Sequence, residues 1–311
     1  MQRVSEVPQE VDIPLLSVLI VNYNAGELLV RSVESALKSS LSLDVIVSDN
    51  GSVDNSMALL QAGYGTDPRL KLLRNGANLG FAAGHNRAFH LARAPFLLFL
   101  NPDCIIGEQT LPRLLDFMDS TPRAGMVGCL VRNPDGNEQK ASRRRIPDPW
   151  IGLVHFLHLD RFGHRLLASK RLDLDPEPLP ESPVTVEAIS GSFMLVRRQA
   201  LNEVGLLDEG YFLHCEDLDW FVRFHCAGWL IYFVPGVDVY HYQGACSQSR
   251  PIAVEWHKHK GMTRFFRKFQ YHNYPLPFSL LVIAGIWLHF GYCAAGEGMR
   301  RLWRFRNHAG V

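Results

Sequence analysis

The chain has almost no net charge: 32 Lys and Arg stand against 31 Asp and Glu, leaving +1 over 311 residues. A general nucleic-acid binder needs a basic excess, so no nucleic-acid partner is expected and any basic surface must be local. Its six cysteines, at 104, 129, 215, 226, 246 and 293, contain no CxxC pair and no dense spacing. That argues against a disulfide framework and against a standard zinc site, and favours a reducing cytoplasm. The repeated His214-Cys215 and His225-Cys226 pairs read as ordinary packing. No apolar run opens the chain, so nothing in residues 1–13 directs secretion and they read as a tail. Neither GxGxxG after the first apolar run nor GxxxxGK[ST] is present, which disfavours a dinucleotide dehydrogenase and a P-loop NTPase. There is no internal repeat.

Apolar residues, by contrast, make up 47% of the chain, enough for one large core. From Leu15 to Val131, short apolar runs alternate with amphipathic stretches. LLSVLIVN (15–22), LDVIVSD (43–49), LKLLRN (70–75), FLLFLN (96–101) and GMVGCLV (125–131) read as strands, and the segments joining the first four read as helices. A repeated βα pattern predicts an α/β fold, a mostly parallel sheet flanked by helices on both faces. Ligands of such sheets lie beyond the carboxyl ends of the strands. Asp49, Asn75, Asn101 and Asp103 fall there and should line one crevice. Residues 132–183 look irregular, with some helix near 150–170 and a basic run, Arg143-Arg144-Arg145, that reads first as a solvated loop. A second organised block follows: a strand and helix over 186–205, an amphipathic helix after Glu216-Asp217 with Leu218, Phe221, Val222 and His225 as its buried stripe, and two strands over 230–244.

The strand ends carry the chemistry. Asp49 can accept a hydrogen bond from the imide N–H of uracil or thymine. Ser52 and Asp54 after it read as turn and cap residues. Pro102 bends the chain after the fourth strand and leaves Asp103 where carboxylate oxygen can hold a hard cation beside a diphosphate. Turns favour Asp on their own account, and acidic residues at a helix start such as Glu216 and Asp217 are favoured by the helix dipole, so each residue alone is weak evidence. His241 ends a strand among aromatics, where a core histidine is the plainer alternative.

Taken in order, SVLIVNYN, VSDNGSVDNS, NLGFAAGHNRA, LNPDC, SGSFMLVRR, YFLHCEDLDW and VYHYQGACS resemble the family 2 glycosyltransferases of GT-A fold, and among them the bacterial rhamnosyltransferase-like branch. The resemblance covers residues 14–250. It implies Asn22 and Asn24 beside the nucleoside, Asp49 on the base, and Asn78, Gly80 and Asn86 shaping the diphosphate and sugar pocket. It implies Asp103 as a ligand to Mg²⁺ or Mn²⁺, with Asn101 where the family often has the first carboxylate of a DxD, and His241 as a further metal ligand. Asp217 would be the general base and Glu216 a neighbour orienting the acceptor. The implied reaction is inverting transfer of a sugar, rhamnose from dTDP-rhamnose above a UDP-sugar, onto a hydroxyl of a polyprenyl-diphosphate-linked or other glycan acceptor. On this reading residues 14–131 form the nucleotide-sugar half and 184–250 the acceptor half, and the alternative to a solvated loop for Arg143–Arg145 is contact with the acceptor diphosphate. The competing readings are a nucleotidyltransferase, against which the first loop VNYNAGE lacks a Gly-rich basic signature, and a non-catalytic sugar-binding homologue.

Residues 251–311 differ in kind. A basic and aromatic stretch, 257–272, precedes an apolar run, 276–295, weakened as a span by Pro277, Ser279, Gly285 and His289, and a second basic run, 300–306. The apolar run is long enough to span a bilayer if helical. Basic residues at both ends favour instead an interfacial or re-entrant segment, peripheral or monotopic on the cytoplasmic leaflet of the cell membrane. The bland alternatives are a core helix pair and an oligomer interface such as a homodimer's.

Overall fold

The computed structural model describes residues 13–156, 172–242 and 251–308, and side chains within these for all but 153–156 and 300–308. The N-terminal tail to residue 12, the end of the VYHYQGACS segment and the middle of the irregular stretch lie outside the described residues. Of the second basic run only the helical backbone is described.

The first half alternates as expected: β1 (Leu16–Asn22), α1 (Glu27–Leu37), β2 (Leu43–Asp49), α2 (Ser56–Tyr64), β3 (Leu70–Arg74), α3 (Phe81–Phe89), β4 (Phe96–Leu100), β5 (Cys104–Ile106), α4 (Thr110–Ser120) and β6 (Ala124–Arg132). Then come β7 (Arg143–Arg144), α5 (Pro149–Phe156), β8 (Val184–Thr185), β9 (Ala188–Ile189), β10 (Phe193–Arg197), α6 (Arg198–Val204), α7 (Glu216–Cys226), β11 (Leu230–His241), α8 (Pro251–Phe269) and α9 (Leu276–His308). The main sheet runs β3-β2-β1-β4-β10-β6-β11-β5, with β8 added against β11, while β7 and β9 form a separate two-stranded ribbon. β3, β2, β1 and β4 are parallel neighbours, as are β6 and β11. β10 is inserted antiparallel between β4 and β6, and β5 lies antiparallel on β11.

Both sheet faces are covered, which is why the strands read as continuous apolar runs. In β4, Phe96, Leu98 and Leu100 point into the core beneath α1, α2 and α4, and Leu97 and Phe99 into the one beneath α3, α6 and α7. The second core holds fully buried Trp220, Phe221 and Phe224, each worth about 2 to 3 kcal/mol of apolar burial. These residues and Leu218 form the buried stripe of α7; Val222 is half-buried, and the expected His225 is exposed. The stripe turns toward the sheet through Trp220, which stacks edge-on against Phe99 at 4.8 Å.

The two strands expected over 230–244 are one, β11, whose register on β6 shifts between Val234 and Asp238. Pro235 lies inside that shift, where its missing N–H breaks no ladder bond. α9 runs unbroken over 33 residues, with Pro277 in its first turn where no donor is needed. An unbroken helix removes the re-entrant form and leaves the interfacial and spanning ones. Leu276–Met299 is long and apolar enough to cross a membrane by length and composition, and little of it is buried.

Candidate active site

The carboxyl ends of β1 and β2 are tied by buried amides. Asn22, fully buried, shares its two Nδ2 hydrogens among Asp49 Oδ1 at 2.9 Å, Ser52 Oγ at 2.9 Å and Ser56 Oγ at 3.0 Å. Asn24, left-handed at φ 55°, receives the backbone N–H of Val53 and Asp54 on its Oδ1, so its side chain closes the loop between β2 and α2. Asp49 also faces the backbone N–H of Ser52, and each carboxylate oxygen keeps acceptor capacity. Asn50 donates to the Gly80 carbonyl at 2.9 Å and accepts from Asn75 at 2.8 Å. Asn78 accepts from the Gly80 N–H at 3.0 Å. Gly80 sits at φ 87°, and a Cβ there would lie 2.4 Å from the Phe212 carbonyl oxygen, which instead receives the Phe81 N–H at 2.8 Å. Only glycine allows this approach. Asn86, buried, braces the loop before α7 by donating to the Leu207 carbonyl and the Glu209 carboxylate, both at 2.9 Å.

β5 and β11 bring the second group together. His241 pairs with Cys104 in the ladder, so its side chain meets Asp103. His241 Nε2 stands 3.1 Å from Asp103 Oδ1 and 3.3 Å from Asn101 Nδ2. Its Nδ1 is 2.6 Å from Gln139 Oε1. The Gln139 amide is oriented by donating from Nε2 to Asn133 Oδ1 at 2.8 Å. An amide oxygen cannot donate, so the imidazole proton belongs on Nδ1 and Nε2 presents a lone pair toward Asp103. Asp103 Oδ1 and Asn101 Oδ1 are buried with no hydrogen-bond partner. An unpaired buried carboxylate oxygen facing an imidazole nitrogen, with an unpaired amide oxygen on the neighbouring Asn101, fits a hard divalent cation. Among the described residues, Asp103, Cys104 and His241 form the cluster able to hold a metal, and neither His214-Cys215 nor His225-Cys226 joins one. Cys104 contributes position more than ligation, since burial pushes its thiol well up and Sγ–H points to the Ser192 carbonyl at 3.5 Å.

The third group stands at the start of α7. His214 and Cys215 both hold left-handed conformations, φ 69° and 72°, which non-glycine residues rarely adopt. This turn sends Glu216 inward and Asp217 to the rim. Glu216 is buried, and desolvation followed by the neighbouring Asp217 charge pushes its carboxyl up to about 8. Its Oε2 has no partner. Asp217 accepts the Leu218 N–H at 2.8 Å on Oδ1 and pairs through Oδ2 with Arg144 Nη2. The side chains of Arg144 and Asp217 are 16% and 14% exposed, so the expected solvated loop is a packed ribbon facing the site. Arg143 is turned away and buried against Glu138.

One turn joins the last two groups. Ser192 accepts the Asn101 N–H on its carbonyl, and a Cβ on Gly191 would meet Asp217 Oδ2 at 2.8 Å. The Ser190-Gly191-Ser192 turn therefore touches both the Asn101–Asp103 bend and Asp217. Asn50, Gln139, Arg144 and Ser192 also belong to this site; Asn50 and Ser192 lie inside the VSDNGSVDNS and SGSFMLVRR motifs, where nothing singles them out, while Gln139 and Arg144 reach partners 102 and 73 residues away.

The sequence profile described as Glycosyl transferase family 2 matches residues 17–205. The chain is 34% identical over 267 residues, 81% of its length and 83% of the relative's, to an N-acetylglucosaminyl-diphospho-decaprenol L-rhamnosyltransferase of Mycobacterium tuberculosis. It is 26% identical to the rhamnosyltransferase WbbL of Escherichia coli over 78% of this chain and 89% of that one. Among solved structures, a mannosyltransferase of Pyrobaculum calidifontis in complex with GDP-Man and Mn²⁺ superposes over 93% of this chain and 76% of that one, with TM-score 0.57 and 17% identity, showing a shared fold. The GT-A type of α/β fold, the order of the motifs along it and these likenesses agree: the chain belongs to glycosyl transferase family 2 and is a glycosyltransferase.

Proposed function

We propose that the protein moves a sugar from a nucleotide-diphosphate donor to a hydroxyl of a lipid-linked acceptor with inversion, and that the sugar is rhamnose carried by dTDP. The observation that carries this is the Ser190-Gly191-Ser192 turn, flanked by an unsatisfied cation cluster and by a rim carboxylate. Inversion needs these two functions on opposite sides of one anomeric carbon. The relatives' activities, rhamnosyl transfer and a decaprenol-diphosphate acceptor, support the donor and acceptor classes.

Asp49 takes the imide N–H of the base, its orientation held by Asn22. Asp103, Asn101 and His241 are the residues that would hold Mg²⁺ or Mn²⁺, which supplies neutralisation of the charge developing on the leaving diphosphate. Asp217 accepts the proton of the acceptor hydroxyl as that oxygen bonds to the anomeric carbon, and the nucleoside diphosphate departs with the electrons of the broken bond. Arg144 keeps the Asp217 carboxylate fixed, so the hydroxyl must engage a remaining lone pair or displace the guanidinium. Glu216, protonated near neutral pH, adds no second negative charge at the base. Holding both substrates in one crevice supplies much of the remaining acceleration. α8 and α9 bring this crevice to the cytoplasmic face of the membrane, where a lipid-linked acceptor resides.

The test is a panel of nucleotide sugars screened by thermal shift, followed by transfer to a short-chain polyprenyl-diphosphate acceptor. dTDP-rhamnose should raise Tm most and be consumed with acceptor. Stabilisation by a different nucleotide sugar alone would overturn the donor assignment, and donor consumption indifferent to acceptor would overturn the transfer.

A further inference from the structure

α8 and α9 form an antiparallel hairpin. Trp256 meets Trp287 at 5.0 Å and Phe290 at 5.5 Å, and His259 Nε2 lies 3.0 Å from His289 Nδ1. α8 is also fastened to the catalytic domain: Lys268 Nζ reaches the fully buried Asp219 at 2.6 Å, and Arg264 reaches Asp208 at 2.9 Å. Hydrogen bonds from Lys268 and Arg264 outweigh partial burial and hold the Asp208 carboxyl down to about 2. α8 therefore cannot leave the catalytic domain without breaking these ties.

The hairpin has two contrasting surfaces. On α9, Leu281, Leu288, Tyr292 and Met299 are 67%, 75%, 76% and 67% exposed. Their spacings of seven, four and seven residues place them on one helical stripe. Beside it, α8 and Trp287 line a groove of about 600 Å³ with four cations, Lys260, Arg264, Arg267 and Lys268. Asp208 and Asp219 pair with Arg264 and Lys268. Lys260 and Arg267 have no acidic partner among the described residues. The groove thus keeps two uncompensated positive charges next to an apolar face and an indole, a combination suited to a phosphate at a hydrocarbon boundary. If α9 crossed the bilayer, the same pairing would carry Lys260 and Arg264 to mid-membrane depth beside Trp287, where charged side chains are strongly disfavoured.

We propose that this groove seats the phosphate of an anionic phospholipid and that α9 lies along the leaflet, its Leu281–Met299 stripe dipping into the acyl layer. The proposal rests on the membrane association in the reading above and gives it a site and a lipid class. Electrostatic attraction at an anionic leaflet adds per cation, so losing Lys260 and Arg267 should weaken binding about thirtyfold.

The experiment is co-sedimentation of the full chain with phosphatidylcholine vesicles, with and without 30% phosphatidylglycerol. The Lys260→Gln/Arg267→Gln variant should bind the anionic vesicles about thirtyfold more weakly, bind the neutral ones as wild type does, and keep wild-type transfer to a water-soluble diphosphate acceptor. Leu288→Glu/Tyr292→Glu should bind both vesicle types less. Equal wild-type binding to both vesicle types, an unaffected double-Gln variant, or resistance of the native protein to alkaline carbonate extraction would overturn the proposal. Loss of transfer to the soluble acceptor with vesicle binding intact would assign the groove to the acceptor diphosphate and overturn the phospholipid seat. Wild type that binds anionic vesicles but transfers no sugar would count against the proposed reaction and leave the groove's assignment standing.

Discussion

Replacing Gln139 by Leu should loosen cation binding without touching a ligand. Gln139 is 2% exposed, and its Oε1 sits 2.6 Å from His241 Nδ1. With that acceptor gone, the imidazole is free to carry its proton on Nε2, 3.1 Å from Asp103 Oδ1. The proton then occupies the space a cation would take and bonds the carboxylate that would bind it. Partners that orient a ligating histidine are worth about 10- to 100-fold in metal affinity, or about 1.4 to 2.7 kcal/mol. Titration of Mn²⁺, with free ion read by electron paramagnetic resonance, should show Kd raised by about that factor. Gln139→Glu, which keeps an acceptor at the same place, should bind Mn²⁺ at least as well as wild type. A Gln139→Leu protein with wild-type circular dichroism and a Kd within threefold of wild type would refute the tautomer argument.

Other outcomes follow from buried groups and from a closely approached glycine. His85 is fully buried between Phe81 and Phe99 with neither ring nitrogen partnered, and burial lowers its pKa to about 3. The unfolded chain takes up a proton below about pH 6.5 that the folded one refuses, so stability is complete above that pH and is lost as pH falls toward 3. His85→Leu should match or exceed wild-type stability at pH 7 and flatten the acid loss, up to about 3 kcal/mol, in urea titrations between pH 4 and 7. Glu216 runs the other way: its carboxyl is raised from 4.5 to about 8, so its contribution is complete below pH 4.5 and is lost as pH rises to about 8. Glu216→Gln should therefore lose less Tm than wild type, by about a few degrees, between pH 5 and pH 9 in calorimetry. Gly80→Ala, at φ 87° and with 2.4 Å to the Phe212 oxygen, should cost about 2 kcal/mol in equilibrium unfolding and raise the donor Kd.

Much of the fold is legible in the sequence because both faces of its central strands are covered, so β1, β2, β4 and β6 stand out as unbroken apolar runs. What hides is whatever depends on distant pairing. β10 reads locally as one more strand, and nothing in FMLVR says that it enters antiparallel between β4 and β6. Pro235 reads as a strand end, and only the ladder with β6 reveals a register shift within β11. In the site, Asn22, Asp49, Asn101, Asp103, Asp217 and His241 are visible because each ends a strand or begins a helix. Asn24 and Asn86 occupy the expected region but spend their side-chain bonds on loops. Arg144 looks like one of three solvated arginines until the ribbon of β7 and β9 turns it onto Asp217. Gln139, with no motif around it, becomes meaningful only beside His241.

The central claim is that Asp217 takes the acceptor proton across the Ser190-Gly191-Ser192 turn from the cation cluster. Its most direct measurement is Asp217→Asn assayed in parallel for donor binding and for single-turnover transfer. Donor affinity should stay within about threefold of wild type and transfer should slow by about a thousandfold, since an amide of the same shape cannot accept the proton. Transfer at the wild-type rate, or donor binding lost together with transfer, would contradict it.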